Sequence, residues 1–209
     1  MRIAVIGAGN VGSALARAFR TAGHTVVISS RHPSHAEKIA GELDVSAASS
    51  NRVAAENTEM LVLAVPAKAV ATVLDETAEF LDGVIVVDPT NPAEEDAETV
   101  LRASASLAEA VALLAPGARV VKAFNTVFVH RLNNPVIDGI ALDGFYAGDD
   151  APAKQVVANL LADMGFRPVD TGELLTARAL ELMAHLNITL NARGGGSWQS
   201  GWKLLGPVG

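Results

Sequence analysis

The sequence of 209 residues has no cysteine. That excludes disulfides, a thiolate nucleophile and cysteine-held metal, and it fits a reducing, cytoplasmic compartment. Aromatic residues are only 4%, and tyrosine occurs once, at Tyr146, in a stretch that reads as a strand. A catalytic Tyr-x-x-x-Lys pair is therefore missing. Charge is modest at 19%, and the formal net charge of −7 argues against nucleic acid or an anionic membrane surface as a partner. No apolar run approaches the ~20 residues of a membrane span. Gly7, Gly9 and Asn10 interrupt the first apolar stretch too early for a secretory leader. No His/Asp cluster has metal-ligand spacing, so no metal site is expected.

What is present is small and apolar. Half the residues, 50%, are hydrophobic, mostly Ala, Val and Leu, which suits close packing of helices on a sheet. Strand-like and helix-like segments alternate, the pattern of parallel strands with crossover helices. Strands are expected at 2–6, 25–28, 44–47, 60–65, 84–87, 119–123, 140–146 and 166–169, with helices between them. Residues 94–104 read as an acidic, solvated loop. The longest helix, 174–192, carries Leu175, Ala179, Leu182, Met183, Leu186 and Leu190 as one apolar stripe. The fold class is thus α/β, a Rossmann-type, doubly wound and mostly parallel sheet with a small C-terminal α/β-to-helical extension. The division expected is a dinucleotide-binding domain over 1–150 and a short segment over 151–209. The latter is too small for the all-helical second domain of 3-hydroxyacid dehydrogenases.

The first strand runs straight into Gly7-Ala8-Gly9-Asn10-Val11-Gly12 and then an Ala/Leu-rich helix. In this context each glycine has a job: a tight turn at Gly7, approach to a pyrophosphate at Gly9, close helix–strand packing at Gly12. Free N–H groups and the positive end of the helix dipole draw phosphate to that turn. At the end of the second strand a carboxylate would mark NAD. The chain has Ser29-Ser30-Arg31-His32 instead, and a hydroxyl beside a guanidinium suits the 2′-phosphate of NADP. Lys38, about two turns on, adds charge nearby.

Ligands of such sheets lie across the carboxyl ends of the strands. Val65 and Pro66 form an apolar wall after the fourth strand, and Asn91 and Asn125 follow the fifth and sixth. Each amide offers a donor and an acceptor for a nicotinamide carboxamide or a carbonyl-bearing substrate, although Asn-Pro and Asn-Thr are also common turn formers. Catalytic candidates are confined to Asn91, Asn125 and Thr126, acting by position. His185 lies one turn beyond Glu181, but both fall off the apolar stripe and read as a solvated face. His130 reads as a surface residue. Hydride transfer between stacked rings needs little from protein acids or bases and fits such a chain.

Gly7 to Gly12, Ser30-Arg31, Val65-Pro66, the segment Asp88 to Pro92 and Lys122-Ala123-Phe124-Asn125-Thr126 together resemble the coenzyme F420-dependent NADP oxidoreductases. The cytoplasmic reductase domains of six-transmembrane ferric reductases share much of this pattern. The resemblance spans nearly the whole chain. It implies NADP(H) held by Gly7, Gly9, Asn10, Val11, Gly12, Ser30, Arg31, Val65, Pro66, Asn91, Lys122, Phe124 and Asn125. It further implies a deazaflavin (F420) or flavin ring near Phe124 to Thr126 and the C-terminal segment, and a homodimer to which the 174–192 helix contributes. Trp198 and Trp202, spaced one helical turn apart, are expected to pack on the core or a partner subunit. Two other functions stay open: NADPH-dependent reduction of a small carbonyl, imine or enoyl compound, which needs a proton donor, and NADP binding without turnover.

Overall fold

Residues 1–92 and 97–206 are described by a computed structural model of the chain. β1 (Arg2–Ile6), α1 (Asn10–Thr21), β2 (Thr25–Ser29), α2 (Pro33–Leu43) and β3 (Ser46–Ala47) form the first βαβαβ unit. α3 (Asn51–Ala55), β4 (Met60–Leu63), α4 (Val70–Thr77), β5 (Ile85–Asp88), α5 (Ala97–Arg102), α6 (Leu107–Leu114) and β6 (Arg119–Ala123) continue the alternation. A short hairpin, β7 (Val136–Ile137) and β8 (Ile140–Ala141), precedes β9 (Asp143–Gly148), α7 (Ala151–Asp163), β10 (Arg167–Asp170) and α8 (Ala177–Arg193).

Eight of these strands make one sheet in the order β3-β2-β1-β4-β5-β6-β9-β10. Its neighbours are parallel except β6 and β9, which pair antiparallel with Lys122 opposite Ala147. Both faces are covered, so the central strands read as continuous apolar runs. In β1, Ile3 and Val5 pack under α1, α2 and α7, while Ala4 and Ile6 face α3, α4 and α6. Alternate side chains thus belong to two separate cores. α8 covers Phe145, Ala147 and Val169 through Leu180.

The order in which strands are added to the sheet reverses between β1 and β4, the place where the carboxyl ends of such a sheet open a crevice. The antiparallel run of β9 brings its first residue, Asp143, to that same edge. Asp143 takes both guanidinium donors of Arg167 at 2.7 Å, Lys203 at 3.1 Å and the Leu204 amide at 2.6 Å. Burial would raise this carboxyl, but those donors hold it below the usual aspartate range. The tail over 197–205 is thereby strapped to the ligand edge.

Two expectations need correction. Within the predicted loop at 94–104, residues 97–102 form α5, because Val100 is buried and α5 packs on α8; residues 94–96 lie outside the described set. The predicted strand 140–146 is broken after Ala141. Asp138 (φ 50°) and Gly139 (φ 78°) form a left-handed two-residue turn that folds β8 back on β7. Asp-Gly is the residue pair such hairpins favour.

Candidate functional site

The glycine turn is built backbone against backbone. Gly7 has φ 113°, and a Cβ on it would lie 2.2 Å from the Ala64 carbonyl oxygen. On Gly12 a Cβ would lie 1.8 Å from the Gly7 oxygen, so only glycine allows α1 to seat there. Gly9 is different, since nothing stands within 4 Å of where its side chain would be. α1 starts with no side-chain cap and no acidic residue in its first turn, and Asn10 and Val11 are exposed. Its N–H groups therefore face open space, an arrangement suited to phosphate.

At the end of β2, Ser29 is buried and donates to Asn51 Oδ1 at 2.7 Å. The Ser30 hydroxyl accepts from the His32 amide at 3.3 Å, and Arg31 is exposed. Among the described residues Arg31 has no hydrogen-bond or ion-pair partner. Lys38 is also exposed. His35, not singled out from sequence, lies on the first turn of α2 and bonds the Ala8 carbonyl at 3.0 Å. That bond requires the proton on Nε2, and it ties α2 to the glycine turn.

The ends of β4, β5 and β6 come together as predicted, but not all with free side chains. Val65 is half-buried and Pro66 exposed at the rim. Asn91 Nδ2 donates to the Asn125 carbonyl at 2.7 Å, and Asn125 Nδ2 donates to Asn91 Oδ1 and the Leu180 carbonyl, both at 3.0 Å. Among the described residues, Asn125 Oδ1 and Thr126 Oγ1 are buried without a partner. Unpaired polar atoms inside a protein carry a desolvation penalty of about 1–3 kcal/mol. Phe124 is also strained, with φ 65° on an aromatic residue. Its ring sits edge-on to Phe19 at 5.9 Å in the core rather than facing the crevice.

Lys122 does not reach the crevice either. It is 0% exposed, and its ammonium donates to Asp88 Oδ2 at 2.9 Å, the Thr90 carbonyl at 2.7 Å and Glu181 Oε1 at 2.7 Å. A lysine in the middle of a two-sided strand must be paired where it lies, which removes it from direct cofactor contact. Asp88 Oδ1 in turn accepts from the Thr90 amide and hydroxyl. Glu181, read from sequence as part of a solvated face, is only 6% exposed and also accepts from the Leu107 amide at 2.9 Å. Burial pushes its carboxyl up, against the pull of the Lys122 ammonium.

Beside this cluster lies a cavity of about 620 Å³. Pro66, Asn91, Val100, Leu107, Glu181 and Leu182 are among its walls, and most of its surface is apolar. Arg178, clamped to Glu109 through two bonds of 2.7 and 2.8 Å, stands at its rim. The cavity walls Pro66 and Asn91 follow β4 and β5, and Gly7 packs on Ala64 and Val65 just before Pro66.

Residues 2–92 match the family of the NADP oxidoreductase, coenzyme F420-dependent. The F420-dependent NADP reductase of Methanothermobacter thermautotrophicus is 32% identical over 92% of this chain and 90% of its own length. The chain belongs to the F420-dependent NADP reductase family. A putative F420-dependent NADP-reductase from Arthrobacter sp. FB24 superposes with a TM-score of 0.85 at 29% identity, covering 97% of this chain and 98% of that one. Metalloreductase STEAP3 of Rattus norvegicus is 31% identical over 86% of this chain, which spans only 36% of that relative. Among the described residues no helix is long and apolar enough to cross a membrane.

Against this F420-dependent family framework, the C-terminal helix holds the main surprise. The stripe predicted on α8 is not its buried face. Leu175, Leu186 and Leu190 are about half exposed, at 54%, 49% and 55%, while Leu180, Glu181, Ala184 and Asn187 point inward. The tail is not helical: Trp198 (φ 54°) meets Phe128 edge-on at 5.5 Å, and Trp202 packs against the β9–α8 core. One signal for Glu181 was readable. Lys122 interrupts an apolar strand, and such a lysine needs carboxylates from elsewhere in the chain.

Proposed function

We propose that the protein is an NADP(H)-dependent oxidoreductase that passes hydride between NADPH and a deazaflavin (F420) or a flavin. The observation that carries this reading is the pairing of an uncapped α1 N-terminus with a 620 Å³ apolar cavity lined by Pro66 and Asn91, which follow the neighbouring strands β4 and β5. The residues fit the dinucleotide: open space at Gly9 for a pyrophosphate, and unpaired Asn125 Oδ1 and Thr126 Oγ1 at the far end. When bound, the nicotinamide supplies or takes the hydride. Gly7, Gly9, Asn10, Val11 and Gly12 hold the pyrophosphate, Ser30 and Arg31 the 2′-phosphate, and Val65 and Pro66 an apolar face. Asn91, Asn125 and Thr126 orient the carboxamide, and the cavity receives the second ring and excludes water from it.

In this reading residues 1–150 bind NADP and residues 151–209 complete the acceptor site, since Arg178, Glu181 and Leu182 of α8 line the cavity. The exposed leucines of α8 form the contact of a homodimer, a patch that solvent disfavours. A cytoplasmic compartment belongs to the same proposal.

Nicotinamide absorbance is followed with NADPH and, in turn, F420, FMN, FAD and a panel of carbonyls and imines. Turnover with F420 is expected. Tight NADP binding with no turnover of any acceptor makes the protein a nucleotide-binding one instead. Reduction of an imine or carbonyl is the second reading, favoured by one observation: a buried carboxyl, Glu181, stands in the wall of the cavity.

A further inference from the structure

We propose that Glu181 is the proton donor and acceptor of this site, supplying the proton that accompanies hydride from NADPH to the acceptor. The inference rests on the function proposed above. It starts from a charge imbalance: one buried ammonium, Lys122, faces two buried carboxyls, Asp88 and Glu181. With all three ionised, a net negative charge lies out of water, which one bound proton relieves. The two carboxyls are not equal hosts for it. Asp88 is fully buried, and both of its oxygens accept bonds, from Thr90 and from Lys122. Glu181 accepts only through Oε1, and among the described residues no group donates to Oε2. Glu181 is also the member of the cluster that lines the cavity.

Among the described side chains, the other charged groups of the elements around it are the Arg178–Glu109 pair at the rim, Lys68 in the cavity wall, Arg102 on α5 and His185 one turn along α8. Burial raises the carboxyl despite Lys122, the direction a proton donor near neutrality requires.

The step balances as follows. The nicotinamide C–H bond breaks, and hydride forms a new bond at the electrophilic ring atom of the acceptor, C–H at the carbon of a deazaflavin or N–H at the corresponding nitrogen of a flavin. The displaced electron pair moves through the conjugated system to a ring nitrogen. There an N–H bond forms as the Glu181 O–H bond breaks. NADPH is oxidised, the acceptor is reduced, and water returns the proton to the carboxylate. The reverse reaction uses the same group as base.

Glu181→Gln tests this with F420, FMN and FAD as acceptors. For wild type, kcat falls as pH rises through the ionisation of Glu181. The variant loses that fall and about 10²-fold or more in kcat, while directly titrated NADP+ affinity and the melting temperature hold. A variant within about twofold of wild type in kcat, or one that keeps the alkaline fall, overturns the proposal. If the variant does not fold, infrared spectroscopy of nucleotide-free wild type decides. A protonated-carboxyl band at neutral pH that vanishes on alkaline titration is expected, and carboxylate bands alone overturn it. Wild type that reduces no acceptor sinks the proposed function, whereas the infrared result still reports on Glu181.

Discussion

On the nucleotide side of the crevice, Gly7 and Gly12 press backbone on backbone and leave the first turn of α1 without a side-chain cap. On the acceptor side, Lys122, Asp88 and Glu181 are enclosed and bonded to one another. The first wall works by shape and unmet donors, and its tolerance is set by the volume of a methyl group. The second works by charge held out of water, and its tolerance is set by pairing. A substitution in either wall should therefore fail in its own way: loss of binding in the first, and loss of stability in the second wherever it leaves a buried charge without its partner.

Lys122→Met separates the walls most sharply. It leaves two carboxyls buried without their cation, and a destabilisation of about 3–5 kcal/mol is expected in urea or thermal denaturation. If NADP binding were weakened while the melting temperature stayed put, Lys122 would touch the cofactor after all. Gly12→Ala comes next. The added methyl would sit 1.8 Å from the Gly7 oxygen, so the turn must open. NADP+ affinity by calorimetry should drop about hundredfold, roughly 2.7 kcal/mol.

Arg31→Ala should weaken NADP+ about tenfold, the lower range for a hydrogen bond to a charged group, and leave NAD+ unchanged. Equal loss for both nucleotides would remove Arg31 from 2′-phosphate recognition. The smallest effect belongs to the rim. Arg178 holds the Glu109 carboxyl at about 2 rather than its ordinary 4.5, with Ser106 assisting against partial burial. Because the folded value is depressed, this stabilisation is complete above 4.5 and is lost as pH falls toward about 2. Glu109→Gln should lower neutral stability by less than about 1 kcal/mol and flatten the acid decline in melting temperature.

The nucleotide wall was legible because its signals are local. A strand, three glycines and a helix lie within a dozen residues, and Ser30-Arg31 ends the next strand. The acceptor wall was not, because its members are distant in sequence and meet only through the sheet. On α8 part of the apolar periodicity faced outward: Glu181 and Asn187 share the buried side with Ala177, Leu180 and Ala184, while Leu186 and Leu190 are exposed. A helix that must satisfy a lysine in the sheet carries a polar position on its buried face, which interrupts the usual amphipathic pattern. The acidic segment before α6 misled for a related reason. Its charges suggested solvent, while Val100 anchors it as a helix against α8.

The antiparallel ladder between β6 and β9, running from Ala123 opposite Tyr146 to Val121 opposite Gly148, is also a seam. Everything N-terminal to it follows the pitch of a parallel sheet, where swapping one unit disturbs the next crossover. What lies beyond it joins the sheet through that one ladder of backbone bonds, with α7 packed on the main core and α8 against α5 and α6. Chimeras joined along that line would transplant the cavity's α8 wall and the strapped tail together onto another member's glycine turn. Acceptor choice would then be exchanged as one cassette, with nucleotide choice left behind.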